Sequence, residues 1–346
     1  MNNNMKNELG DSKLIKLLQH KNKNGQKGFN LLELMISLAV GLVIFAGVLT
    51  VFVGMKTTVK ETSSYGELQE NARFAISILT DDLLQQNFWG DYSGSLNFGN
   101  LEAVVVPDPL DVECTGEGNN NGTYPTGVGH FRSLWGETSS ALGVTDMSCI
   151  NNATNNSDVI QLKRVISNPL DPLALPDNFS YFITNIDNGA IYKTPLEGGG
   201  VVPNITNSRT WQYQHHIYYV RAGTPVLMKW RLTSQMINEP IVDGIERIYF
   251  MYGISRVTDP TLLGFGDISA YISAENMTPA LWDNTNSRIL AVKIYVLARS
   301  LLPDNSYDNI NTYTLGDQAA YTPADNFRRL LLSSTVTLYN SEIDTW

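Results

Sequence analysis

The chain has 346 residues, of which 43% are hydrophobic and 17% charged, with a formal net charge of -10. That apolar fraction excludes disorder of the whole chain, and the length allows one large domain or two ordinary ones. The acidic balance argues against a general nucleic-acid binder, which needs Lys and Arg to displace counterions from phosphates. A mean hydropathy of -0.13 argues against a multi-span membrane protein.

The first segment, residues 1–28, is polar and basic. Lys6, Lys13, Lys16, Lys21, Lys23 and Lys27 stand against Glu8 and Asp11. From Leu34 to Met55 no residue is charged. As a helix this run is ~33 Å long, which matches a bilayer core of ~30 Å. It is apolar on every face, unlike the core helix of a soluble domain. Basic residues on its N-terminal side predict that this end stays in the cytoplasm and the rest is exported. The run is too long for an ordinary secretory signal, and the helical pattern continues beyond it. Glu33 lies just inside the apolar block, where a carboxylate costs free energy and needs a partner.

Beyond the membrane the apolar positions Leu68, Ala72, Ile76, Leu79 and Leu83 recur at helical spacing. One helix is therefore expected over about residues 30–87, with Phe88, Trp89 and Gly90 at its end. The expected divisions are a leader (1–28), a membrane half of the helix (29–56), an amphipathic half (57–88) and an exported head (89–346). Gly41, Gly47 and Gly54 either allow close helix packing or are merely tolerated.

After residue 90 the period shortens to that of strands. Residues 217–232 read as a hairpin around Ala222-Gly223-Thr224-Pro225. Further strands are expected at 102–106, 158–165, 180–184, 245–252, 289–298 and 329–339. One long helix with many strands implies an α+β fold, the helix packed on an antiparallel β-rich head. Polar loops at 116–129, 151–156 and 196–204 are either contact surfaces or solvated connections.

The string KGFNLLELMISLAVGL (27–42) resembles the type IV prepilin signature: a basic leader ending in Gly, then Phe, then Glu in an apolar helix. The resemblance implies cleavage by prepilin peptidase between Gly28 and Phe29, and N-methylation of Phe29. It also implies an assembly role for Glu33, paired with the Phe29 amine of a neighbouring subunit, since a buried carboxylate needs a cation. Asn30 departs from the usual Thr or Ser but is small and polar. YGELQENARFAISILTDDL (65–83) resembles the segment after the membrane helix in PilW-type minor pilins. SDVIQLKRV (157–165), IVDGIERIYFMYGI (241–254), RILAVKIYVLARS (288–300) and FRRLLLSSTVTLYN (327–340) are similar to strands of that family in the same order.

What this implies is a minor type IV pilin that takes part in initiating pilus assembly. Its partners would be prepilin peptidase, other minor pilins, the major pilin, the inner-membrane assembly platform and a tip adhesin, with one helix in the membrane and no direct nucleic acid. It would sit in the cytoplasmic membrane, head in the periplasm, and then in the pilus. A type II secretion pseudopilin shares the N-terminal logic. A membrane-anchored adhesin or enzyme is the reading from another class.

Cys114 and Cys149 fall in the exported part, where an oxidising compartment favours a disulfide over two buried thiols. His215 and His216 are adjacent, so on a strand they point to opposite faces and do not share a metal. Asp304, Asp308 and Asp317, with Asn305 and Asn309, form an oxygen-rich segment without the spacing of an EF-hand. Some pilin relatives bind calcium; the other reading is a solvated loop. Asp81 and Asp82 diverge on a helix and do not converge as a catalytic pair. Arg328 and Arg329 would split between the faces of a strand. No nucleophile elbow, HExxH or P-loop is present, so no catalytic residue, metal or cofactor is expected. Removal of the leader leaves 18 basic and 32 acidic residues, a net charge near -14.

Overall fold

Helix α1 runs unbroken from Leu31 to Leu84, 54 residues with no proline. The structure is a computed structural model that describes residues 28–94, 96, 107, 110, 113–127, 129–196 and 201–341. The leader before Gly28 and the strand expected at 102–106 lie outside the described residues. The chain divides into two units, one ending at Lys60 and one starting at Glu61. Helix α1 contributes residues 31–60 to the first and 61–84 to the second.

In the first unit every residue of α1 from Leu31 to Lys60 is exposed. Among the described residues it is the only helix long and apolar enough to cross a membrane. Its hydroxyl residues do not leave donors unpaired. Ser37, Thr50, Thr57 and Thr58 each donate to the carbonyl one turn back, at 2.8–3.1 Å.

The second unit buries Leu68, Ala72, Ala75, Leu79 and Leu83 of α1. The predicted stripe is corrected at two places. Ile76 is only partly buried, and the acid Asp82 lies on the buried face. The helix also ends three residues earlier than its pattern suggests. Residues 85–87 form a turn, and Asn87 (φ 58°) and Gly90 (φ 70°) adopt left-handed conformations that lead the chain away. A Cβ on Gly90 would lie 2.4 Å from the Trp211 ring, so this close approach requires glycine.

Two antiparallel sheets follow. The first has seven strands: β1 (Leu134–Thr138), β2 (Asp158–Val165), β3 (Phe179–Thr184), β4 (Gly189–Thr194), β5 (Arg209–Arg221), β6 (Val226–Leu232) and β7 (Met236–Asp243). Their order is β1-β2-β5-β3-β4, with β6 on β5 and β7 beyond β6. The second has four: β8 (Ile245–Ser255), β9 (Ala270–Ser273), β10 (Arg288–Arg299) and β11 (Arg329–Thr337), in the order β11-β10-β8-β9. A single turn of helix, α2 (Pro279–Trp282), separates β9 from β10 and is capped by Thr278.

The expected hairpin is present, with Gly223 at φ 84° in its turn. Strands β1, β4, β7 and β9 were not legible, because they are short or rich in Gly, Pro and charge. The two sheets meet where Ser157 and Asp158 complete an edge. The Ser157 hydroxyl donates to the Ile248 carbonyl (3.2 Å) and accepts the Ile248 N–H (3.0 Å). Asp158 accepts the Phe250 N–H at 2.7 Å. They satisfy the β8 edge where the short strand β9 leaves it uncovered. One apolar cluster joins the α1 stripe to both sheets through Ile160, Tyr218, Val292, Ile294 and Val336.

Candidate assembly helix and its anchorage on the head

Gly28, Phe29 and Asn30 precede α1 and are exposed, with Phe29 77% accessible. Asn30 caps the helix. Its side-chain oxygen accepts the Leu32 N–H at 3.5 Å, and its carbonyl accepts from Glu33 (2.9 Å) and Leu34 (3.1 Å). Glu33 is thus the third helical residue, where the helix dipole favours a carboxylate. Leu34 to Met55 follow as an exposed apolar cylinder. The Cβ positions of Gly41, Gly47 and Gly54 meet nothing within 4 Å, so each glycine leaves an open notch.

The lower half of α1 is fixed to the head by polar contacts that the sequence did not announce. Asp82 is buried. Its Oδ1 accepts Arg164 Nε–H at 2.7 Å, while Oδ2 accepts His216 Nδ1–H at 2.6 Å and the Tyr218 hydroxyl at 2.7 Å. Burial alone would raise this carboxyl. The His216, Arg164 and Tyr218 contacts outweigh it and hold the group well below the usual carboxylate range.

Strand β11 is clamped along α1 at both ends. Arg328, just before the strand, pairs with Glu61 and with Asp304, each at 3.0 Å. Its guanidinium lies over the rings of Tyr307 (4.4 Å) and Tyr65 (5.6 Å). Asn340, just after the strand, donates to the Gln86 carbonyl at 3.0 Å, and its own carbonyl accepts from Asn87 at 3.1 Å. The adjacent Arg329 instead forks onto Glu246 and Asp325. The two arginines therefore separate, as their adjacency predicts.

His215 and His216 also separate. His216 faces α1, whereas His215 Nδ1 lies 3.3 Å from the Thr123 hydroxyl on the other face of β5. That second face is covered by the segment around 113–127. Cys114 and Cys149 are joined by a disulfide with Cα atoms 5.4 Å apart. Asn120, Asn121, Thr123 and Tyr124 are buried, so this part of the polar loop is neither a solvated connection nor an exposed contact surface. The loop binds the sheet by polar bonds. Lys163 Nζ donates to the Asn121 carbonyl (2.9 Å) and side-chain oxygen (2.8 Å), Gln161 donates to the same side chain (2.6 Å), and the Tyr213 hydroxyl donates to the Thr123 carbonyl. Burial pushes the fully enclosed Lys163 amine well below its ordinary value.

The oxygen-rich segment does not converge. Asp304 serves Arg328, Asn309 donates to the Phe327 carbonyl at 2.9 Å, and Asp317 accepts from Tyr249 and Ser273. Among the described residues no three His, Cys, Asp or Glu groups come together as a metal site. Asp81 and Asp82 part as expected, one exposed and one buried. The signal for Asp82 was positional: it continues the 68, 72, 75, 79 spacing of the buried stripe.

Residues 217–340 match the family model described as Type IV Pilus-assembly protein W. Residues 23–49 match the prokaryotic N-terminal methylation motif. Together these matches bear out the resemblance to PilW-type prepilins. The strings at 241–254, 288–300 and 327–340 fall inside the first match; those at 65–83 and 157–165 fall outside it. No curated protein matches. Among solved structures the chain is similar to a Type IV-like pilin from Thermus thermophilus, at 11% identity and a TM-score of 0.33, over 80% of this chain and 98% of that one. At that score the likeness carries no further argument.

Proposed function

We propose that this chain is a minor type IV pilin acting in the initiation of pilus assembly. Prepilin peptidase cuts between Gly28 and Phe29, and Phe29 is then N-methylated. Leu34 to Met55 hold the protein in the cytoplasmic membrane with the head outside. Glu33 pairs with the Phe29 amine of the adjacent subunit as helices gather in the filament core. The observation that carries this reading is the single helix α1. Its first part is apolar and exposed all round with one acid in the first turn, and its second part is bonded into a β-rich head.

The remaining partners follow from the same reading: other minor pilins and the major pilin, the inner-membrane platform and a tip adhesin. The head supplies specificity, and subunits add beneath the primer. N-terminal sequencing of the protein co-expressed with prepilin peptidase tests the first step. A mature chain starting at methylated Phe29 is expected. An uncut chain would favour a membrane-anchored adhesin or enzyme, and loss of secretion with normal pili after gene deletion would favour a type II secretion pseudopilin.

A further inference from the structure

Apolar side chains stand exposed at both ends of the second sheet. Leu302 (79% accessible) and Ile310 (81%) lie between β10 and β11, while Leu262 (58%) and Leu263 (102%) lie between β8 and β9. The two groups differ in where α1 places them. Within the second unit β11 lies along the helix, with Arg328 at Glu61 and Asn340 at Leu84 and Gln86. The β10–β11 loop leaves Arg299 and returns at Arg328, so it belongs to the Glu61 end. The β8–β9 loop leaves Ser255, which pairs with Arg288 at the opposite end of the sheet. Strand β8 alone separates these ends by ~33 Å.

The β10–β11 loop is built, not slack. Asp304 is buried against Arg328, its N–H donates to the Asn326 carbonyl (2.8 Å), and Asn309 is fully buried and bridged to Asp325. These anchors fix the backbone between Leu302 and Ile310, and both side chains are exposed. Held outward on a fixed backbone, Leu302 and Ile310 offer apolar side chains that lose no conformational freedom of the loop on contact.

We infer that Leu302 and Ile310 touch the lipid surface while the protein is membrane-anchored. The inference rests on the reading of Leu34 to Met55 as the membrane span. From Met55 to Glu61 the chain covers ~9 Å as helix and at most ~21 Å fully extended. The headgroup zone outside the hydrocarbon is itself ~5–7 Å deep on each side. Arg328 ties this loop to Glu61, the first residue of the second unit, so the length of chain from Met55 bounds how far the tie lies from the end of the span. The loop 300–313 contains no Lys or Arg; of its two acids Asp304 is occupied by Arg328, and Asp308 is exposed beside Ile310. The contact is shallow apolar insertion that leaves Asp308 at the aqueous surface and gains nothing from anionic lipid.

The test uses the full chain in phosphatidylcholine nanodiscs, with Cys114 and Cys149 left paired. Leu302→Cys, Ile310→Cys, Leu263→Cys and Phe45→Cys are each labelled with an environment-sensitive fluorophore, and nitroxide lipids serve as quenchers. Labels at 302 and 310 are expected to lose emission to a shallow nitroxide in phosphatidylcholine alone, and no more when anionic lipid is added. The label at 45 should be quenched by a deep nitroxide and that at 263 by neither. Quenching at 45 with none at 302 and 310, or equal quenching at 263, overturns the loop contact and leaves the span intact. Absence of quenching at 45 overturns both. Shielding of 302 and 310 only after other pilins are added assigns the loop to a subunit contact and overturns lipid insertion.

Discussion

Asp82 of α1 and His216 of β5 lie 2.6 Å apart, carboxylate to imidazole, sealed between the helix and the first sheet. Arg164 and Tyr218 complete the ring of donors, so every contact crosses from strand to helix. Removal of one member of a buried, hydrogen-bonded charge pair leaves the others uncompensated and costs about 3–5 kcal/mol. Asp82→Ala in the full chain in micelles is expected to lower unfolding stability by that order, read by urea titration and near-UV dichroism. Asp81→Ala, on the exposed side, should stay within about 0.5 kcal/mol. Equal effects of the two substitutions would remove Asp82 from this role. Because the Asp82 carboxyl is depressed, its contribution is full above the ordinary carboxylate value of ~3.9 and declines as pH falls below it.

Asp158 behaves in the opposite sense. It is fully buried without a cation, and burial pushes its carboxyl up to about 8 despite bonds from Thr138 and Phe250. The folded chain then keeps a proton that the unfolded chain releases above pH ~4. Stability should fall as pH rises from there to about 8 and level off above it. Asp158→Asn can keep both contacts if the Thr138 hydroxyl turns to accept, and it should flatten this slope. Urea midpoints at pH 5 and pH 8 for the two proteins provide the comparison; parallel slopes would count against a protonated Asp158.

The Cys114–Cys149 bridge closes a loop of sequence separation 35, for which the chain-entropy model gives about 4 kcal/mol. A chain with both cysteines changed to serine should lose stability of that order. It should also release the segment carrying Asn121, opening Lys163 to amine-reactive reagents that the native chain resists. Mass measurement after alkylation without reduction checks the bridge itself. Two added alkyl groups would show free thiols.

Glu33→Ala should leave membrane insertion and cleavage at Gly28 intact but deplete the protein from sheared pili, relative to the cell-associated fraction. Unchanged incorporation would end the proposed pairing with the Phe29 amine.

Gly136 of β1 sits against Tyr252 of the second sheet, and a Cβ there would lie 2.2 Å from the Tyr252 hydroxyl. Gly136→Ala is expected to cost about 1–3 kcal/mol through overpacking. Gly143→Ala, whose Cβ position is open, isolates the strain of a positive φ (98°) from that of the clash. Thermal melts of both variants separate these effects.

Features that depend on one segment alone are legible along the chain. The apolar run, the Gly28-Phe29-Glu33 spacing, the long helix and the strands at 158–165, 245–252 and 289–298 are local patterns of hydrophobicity. They read directly because one face, or every face, of each segment has a single environment. The polar interior, by contrast, takes shape only on folding. Gln161 and Lys163 point to the loop, Arg164 points to the helix, and His215 and His216 divide the same way. Strand alternation forecasts that neighbours part, but not that both sides are buried. Polar residues give no apolar period, and their partners lie far along the chain, in Asp82 and in a loop of asparagines that composition marks as solvated. A buried polar group is stable only when its partner arrives, and that pairing exists only once the chain has folded.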